Sequence, residues 1–265
     1  MLSLTRGSAL VSIKLVSRRV DFGERAPIVE ALLDARVSPR EGIDALALKS
    51  FGDGLEERFP TCQIQTHWQS QLNFSGSQID LDPESVTTST LGYAFLAPNG
   101  SRIAQAQIGG FCFSKLQPYE GWDAVLGEFQ ELWQVYLQVA QPSSISRVAV
   151  RYINKILLPI EFIANPSVYL GFHPSSPDGL GNQAEFFTRS VVCHPQRPDI
   201  RGVITVASES STEDSFLIYD IDVFAGGLAL DPDSQELPAL LDQLREYKND
   251  LFFGAITPLL EEKLS

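Results

Sequence analysis

The sequence predicts an α+β protein, with antiparallel sheet in meander order and long amphipathic helices packed on one face, arranged as two similar halves. Residues 62–74, CQIQTHWQSQLNF, alternate strictly: Ile64, Thr66, Trp68, Leu72 and Phe74 on one side, Gln63, Gln65, His67, Gln69, Gln71 and Asn73 on the other. That is the period of a half-buried antiparallel strand with a wet face. Residues 91–116 hold a hairpin whose PNGS turn supplies Asn-Gly, a pair that accepts positive φ. Residues 121–142 repeat apolar side chains at helical spacing through Val125, Phe129, Leu132, Trp133, Tyr136 and Val139. Strands joined by hairpins, with helices between the groups, belong to α+β architecture rather than to a parallel α/β sheet.

The elements follow in order. Residues 1 to about 22 are basic and rich in Ser and Leu, with Lys14 interrupting the apolar run. They are expected to form a loosely attached arm, native or the product of an early start codon, and neither a secretory h-region nor a membrane span. PIVEALLDARV (27–37) is a strand with Ala31, Leu33, Ala35 and Val37 on one face and Glu30, Leu32, Asp34 and Arg36 on the other. Residues 42–60 read as a helix weakened by Gly52 and Gly54 and stopped by Pro60. Gly109-Gly110 suggests a bulge. Pro142 ends the 121–142 helix, and SRVAVRYINKI (146–156) is the next strand. Residues 158–185, dense in Pro, Gly and Ser, read as a long loop with one helical turn near Val168–Leu170. Strands at 186–194, 201–209 and 216–224 precede a final helix over about 235–262, with GAITP kinking or ending it. Each half thus carries a leading strand, an insertion, three strands and a helix: 23–142 and 143–265, packed as one unit.

Composition bounds the function classes. The 265 residues carry a net charge of −13 and a pI near 4.6, which argues against nucleic-acid or anionic-membrane partners, since both need a positive field. Cys62, Cys112 and Cys193 lie far apart with no CxxC, so metal spacing is absent, and an odd count without a framework suits a reducing cytoplasm. His67, His173 and His194 are scattered with no HxH or HExxH, and there is no GxSxG elbow. No catalytic residue, metal site or cofactor is assigned, and binding is favoured over catalysis.

Five segments, PIVEALLDARV, PYEGWD (118–123), SRVAVRYINKI, YDIDVF (219–224) and LREYKNDLFFGAIT (244–257), together resemble a sporadically distributed bacterial family of uncharacterised proteins of about this length. The resemblance covers nearly the whole chain after the arm. It implies a cytoplasmic bacterial protein with a patchy spread that suggests gene transfer. It implies no reaction and no site residue.

The candidate site is a set of charged strand faces. Arg147, Arg151 and Lys155 share one face of their strand, Asp220 and Asp222 share another, and Glu30, Asp34 and Arg36 a third. If these strands are neighbours, opposite charges form cross-strand pairs that fix register and keep that face wet. The same residues would line a polar groove for a protein partner or unfolded segment. A defence-associated, antitoxin-like or chaperone-like role fits such a groove by analogy. The alternative is a metal-dependent enzyme acting on a nucleotide or phosphoester, with Asp220, Asp222 and Asp34 as hard oxygen ligands and the basic row holding phosphates. In LREYKNDLFF, Arg245, Lys248 and Asn249 read as a solvated helix face, with Asn249 or Lys248 alternatively capping a loop or meeting the sheet's acids.

Overall fold

Two strands at the centre organise the molecule. β1 (Ile28–Ser38) and β8 (Ser144–Leu158) pair antiparallel, with Leu33 opposite Val150 and Ala35 opposite Val148. A computed structural model describes residues 26–69, 72–75, 78–81, 87–159, 162, 165–174, 185–210 and 215–265; the N-terminal arm lies outside them, as do parts of the 158–185 segment. The remaining strands are β2 (Thr61–Gln69), β3 (Leu72–Ser75), β4 (Gln78–Leu81), β5 (Thr87–Leu96), β6 (Arg102–Gln107), β7 (Gly110–Leu116), β9 (Phe187–Cys193), β10 (Ile200–Ser210) and β11 (Ser215–Leu230). Nine of the eleven strands form one sheet in the order β2-β5-β6-β7-β1-β8-β11-β10-β9, and β3 pairs with β4 in a separate ribbon. Every ladder is antiparallel. The α+β class therefore holds.

The order across the sheet is not a simple meander. β5–β6–β7 and β9–β10–β11 each run in sequence, but β1 and β8 sit between the two groups. Their composition explains the placement. Ala31, Leu33 and Ala35 in β1 and Ile145, Val148, Val150 and Tyr152 in β8 are all fully buried or nearly so, and strands this apolar on one face gain most where a neighbour stands on each side.

α1 (Trp122–Ala140) and α2 (Glu236–Ala255) pack on the same sheet face. Phe111, Ala35, Val148 and Ala225 form one row across β7, β1, β8 and β11. Phe111 meets the rings of Phe129, Trp133 and Tyr136 from α1 at centroid distances of 5.6–6.3 Å. Farther along that face Tyr219 meets Phe252 of α2 at 5.7 Å. The apolar stripe of α1 is buried as its spacing predicts, with Val139 partly so.

Five local expectations change. Residues 42–60 hold only a 3-10 helix, Ala45–Gly52, capped by Asp44, whose side chain accepts from the Leu46 amide at 3.0 Å; the chain then turns, with Gly54 at φ +79°. The 62–74 strand is two strands, and Ile64 stands exposed on β2, because β2 is a sheet edge that neither α1 nor α2 covers in the described residues; the side chains from Trp68 onward lie outside the described set. Residues 91–116 form two hairpins rather than one, with Ile108-Gly109 as the turn between β6 and β7 in place of a bulge. The helical turn in the long loop is a 3-10 helix at Pro166–Val168. The final helix stops at Ala255; Ile256 is extended and bridges to Leu170, and Thr257 caps α3 (Pro258–Leu264). Pro258 at the first helical position suits a new helix and would break a continuing one.

Candidate functional site

The sheet face away from the helices carries the charged rows. Side chains alternate across a strand, so burying Val148, Val150 and Tyr152 under the helices turns Arg147, Arg151, Lys155 and Leu157 to the open side, where Asp34, Asp220 and Asp222 also stand.

The rows meet diagonally. Arg151 is opposite Asp222 in register, yet its Nε and Nη2 donate to the two carboxylate oxygens of Asp220 at 2.8 and 2.7 Å. Arg147 stands opposite Gly226, which leaves room beside it. Its guanidinium lies 4.4 Å from the Phe224 ring centroid and donates to Asp34 at 2.9 Å and to Asp222 at 3.1 Å. Asp34, with its side chain only 6 % exposed, also takes Arg36 at 3.0 Å. The result is a four-member chain, Arg36–Asp34–Arg147–Asp222, beside the pair Arg151–Asp220, across β1, β8 and β11. Burial pushes the Asp222 carboxyl up against the opposing pull of Arg147 and Arg151, while the bond from Asp220 holds the Arg151 guanidinium further up. The face therefore carries nearly balanced charge in fixed geometry.

Two predicted members stand apart from this chain. Lys155 packs its ammonium 4.1 Å over the Phe216 ring instead of meeting an acid. Glu30 is close enough to act on Arg151 electrostatically but makes no direct pair with it among the described residues.

Glutamines extend the chain beyond what charge alone signals. Arg36 donates to the Gln107 side chain at 3.4 Å, Gln107 to Gln65 at 2.8 Å, and Gln65 to Gln105 at 2.6 Å. Gly110 lies between Arg36 and Gln107 in the cross-strand row. A Cβ there would come within 2.5 Å of the Ala35 carbonyl and 3.2 Å of Arg36 Cδ, so only glycine lets the arginine cross β7. The wet glutamine side of β2 was the sequence signal for this extension.

Apolar side chains share the face. Phe187, Val191 and Leu157 are 70, 53 and 52 % exposed. Phe187–Ala207–Ile218–Lys155 and Val191–Val203–Asp222–Arg151 are rows across β9, β10, β11 and β8, with the row Arg189–Thr205–Asp220–Ile153 between them.

The acids of the Asp-x-Asp metal reading are engaged with arginines. Asp34, Asp220 and Asp222 each accept a guanidinium, and no group of three His, Cys, Asp or Glu that could hold a metal ion occurs among the described residues. Burial, with Asp34 adding to it, pushes the Cys112 thiol up to about 12, which leaves it un-ionised. His194 caps its turn, with Nδ1 accepting from the amides of Gln196 and Arg197 at 3.1 and 3.0 Å.

LREYKNDLFF departs from its solvated-face reading. Lys248 is buried, 3.8 Å over the Tyr152 ring on the helix-covered side of the sheet, away from the acids of the open face. The signal was its spacing: four residues after Leu244 and four before Phe252, inside the apolar stripe. No described helix is long and apolar enough to cross a membrane. Comparison with protein-family models and with curated proteins finds no match.

Proposed function

We propose that the chain is a non-enzymatic binding protein that holds a protein partner on its open sheet face. The supporting observation is the pairing on one sheet face of a pre-ordered charge ladder with exposed apolar side chains. Arg147, Arg151, Asp34, Asp220 and Asp222 are already satisfied by each other, so they orient a partner without needing to be reorganised. Phe187, Val191 and Leu157 supply apolar area that gains by being covered. Glu30 and Lys155 flank the ladder as adjustable charges for register and specificity. A partner protein or an unfolded segment with mixed charge and apolar anchors matches this surface. That supports a cytoplasmic chaperone-like, antitoxin-like or defence-associated role.

The finer architecture belongs to the same proposal. Each half contributes a leading strand, a three-strand run and a helix, and the two leading strands meet at the centre, so the ladder forms at the junction of two similar halves.

Co-purification from the native host, followed by hydrogen exchange on the complex, tests the reading. The expected result is protection of β8, β9 and β11, with loss of the partner in Val191→Asp and Phe187→Glu at unchanged melting temperature. A partner that is retained by both variants, or that protects only the helices, overturns it.

A further inference from the structure

The other side of the sheet holds a group with no role in that reading. Lys248 is 9 % exposed, its ammonium 3.8 Å over the face of Tyr152, and it forms no salt bridge with a described carboxylate. No carboxylate is among the groups that act on it; the charged group that does is Arg245, one turn earlier on α2. Buried lysines are normally paired, because desolvating an ammonium without a counter-charge is expensive.

The surroundings converge on one spot. Arg245 lies over the Trp122 ring at 5.3 Å, and Trp122 is the first residue of α1. The Tyr152 hydroxyl shares a 2.8 Å hydrogen bond with that of Tyr119, three residues before Trp122. Gly121, the N-cap of α1, offers no side chain to the free amides of the first turn. Lysine, arginine, two tyrosine hydroxyls and an uncapped helix start thus meet where α1 approaches α2. The nearby acids are engaged or outward: Glu120 pairs with Lys115 at 3.1 Å, Asp242 takes the Trp122 indole N–H at 2.7 Å, and Asp123 and Glu246 are exposed.

We propose that the seam between the start of α1 and α2 binds a small oxyanion, the carboxylate or phosphate group of an acidic small molecule, through Lys248 and Arg245. The anion supplies the counter-charge that Lys248 lacks, and the amides of the first α1 turn and the Tyr119 hydroxyl complete its shell. Burial holds the Lys248 amine down to about 7, so at pH 8 anion binding draws a proton onto it.

Calorimetric titration of the full chain with inorganic phosphate, and separately with acetate, at pH 8 and matched ionic strength in two buffers of different ionisation enthalpy tests this. The expected result is saturable binding by at least one of them with uptake of about one proton per anion, set by the lysine. Lys248→Met abolishes the uptake and weakens binding about tenfold or more, and Arg245→Gln, at a partly exposed position, weakens binding with the uptake retained. Near-UV dichroism confirms that the variants are folded. Absence of saturable binding by both anions, or binding and proton uptake unchanged in either folded variant, overturns the proposal. Partner binding on the opposite sheet face is untouched by either outcome.

Discussion

Arg147 and Arg151 lie on one strand face and differ in what they hold. Arg147 supports Asp34, the most buried of the three acids, and Asp222, whereas Arg151 clamps Asp220 alone from a position 42 % exposed. Arg147→Ala should therefore cost about 1–3 kcal/mol, because it leaves a buried carboxylate under-satisfied, and Arg151→Ala only about 0.2–1 kcal/mol. Urea unfolding of both variants checks the ranking; an equal or reversed order refutes the asymmetry. Arg151→Asp combined with Asp220→Arg should recover part of the loss of either single change, the mark of a direct pair. Lys248 gives a pH dependence of definite sign. Its folded value lies near 7 and its ordinary value is 10.5, so the unfolded chain binds more protons between those limits and stability contributed by this site rises with pH across that window. Below about pH 7 the buried ammonium is a burden of order a few kcal/mol. Lys248→Met should consequently be more stable than the parent at pH 7 in an anion-free buffer, with the advantage shrinking toward pH 10. A constant difference across that range would show that Lys248 does not titrate there.

At the level of elements, close backbone approach decides where glycine is required. At Gly92 in β5 an added Cβ would lie 2.0 Å from the Ala106 carbonyl of β6, against rigid backbone. At Gly202 in β10 the nearest atom, at 2.5 Å, is the end of the Leu251 side chain on α2, which can rotate away. Gly92→Ala should cost about 1–3 kcal/mol by prying β5 from β6, and Gly202→Ala should be milder. Comparable losses in denaturant melts would mean that α2 cannot yield over β10. The elements themselves differ in how far local sequence decides them. α1 was legible because seven residues of its stripe are buried at a single helical spacing, and β11 because Leu217, Tyr219, Ile221, Val223 and Ala225 alternate with Ile218, Asp220, Asp222 and Phe224. The helix expected over residues 42–60 is only a 3-10 helix at Ala45–Gly52, since ALALKSFG has helical propensity while its length is set by where Phe51 must sit, 5.1 Å from Phe95 and 5.5 Å from Phe111. The exposed Ile64 was misread for the same reason: alternation reports a strand, but not which of its faces another element will cover.

Across the whole molecule, the β1–β8 ladder joins residues up to 142 to residues from 143 onward through two strands at the centre of the sheet. Separating 23–142 from 143–265 would strip both central strands of a neighbour and expose a row of unpaired backbone groups. Unfolding should accordingly be a single transition. Tryptophan fluorescence, which reads Trp68 in β2 and Trp122 and Trp133 on α1, should coincide with far-UV dichroism, which reads the whole sheet. Two separated transitions would show that the halves fold independently.

Periodicity and charge sign by themselves determined the α+β class, most strand and helix positions, and the opposite-signed rows that become the ladder, since each depends on the alternation of side chains along one segment. Tertiary structure alone decided the rest. The insertion of β1 and β8 between the two three-strand runs, the diagonal partners Arg151–Asp220 and Arg147–Asp34, and the passage of Arg36 over Gly110 to Gln107 all depend on register between segments tens of residues apart. Lys248 shows the limit most plainly: its spacing puts it in the apolar stripe, but only the packing of α2 on Tyr152 buries it without a counter-charge. Local periodicity fixes which way a side chain points, and the assembled neighbours fix what it meets.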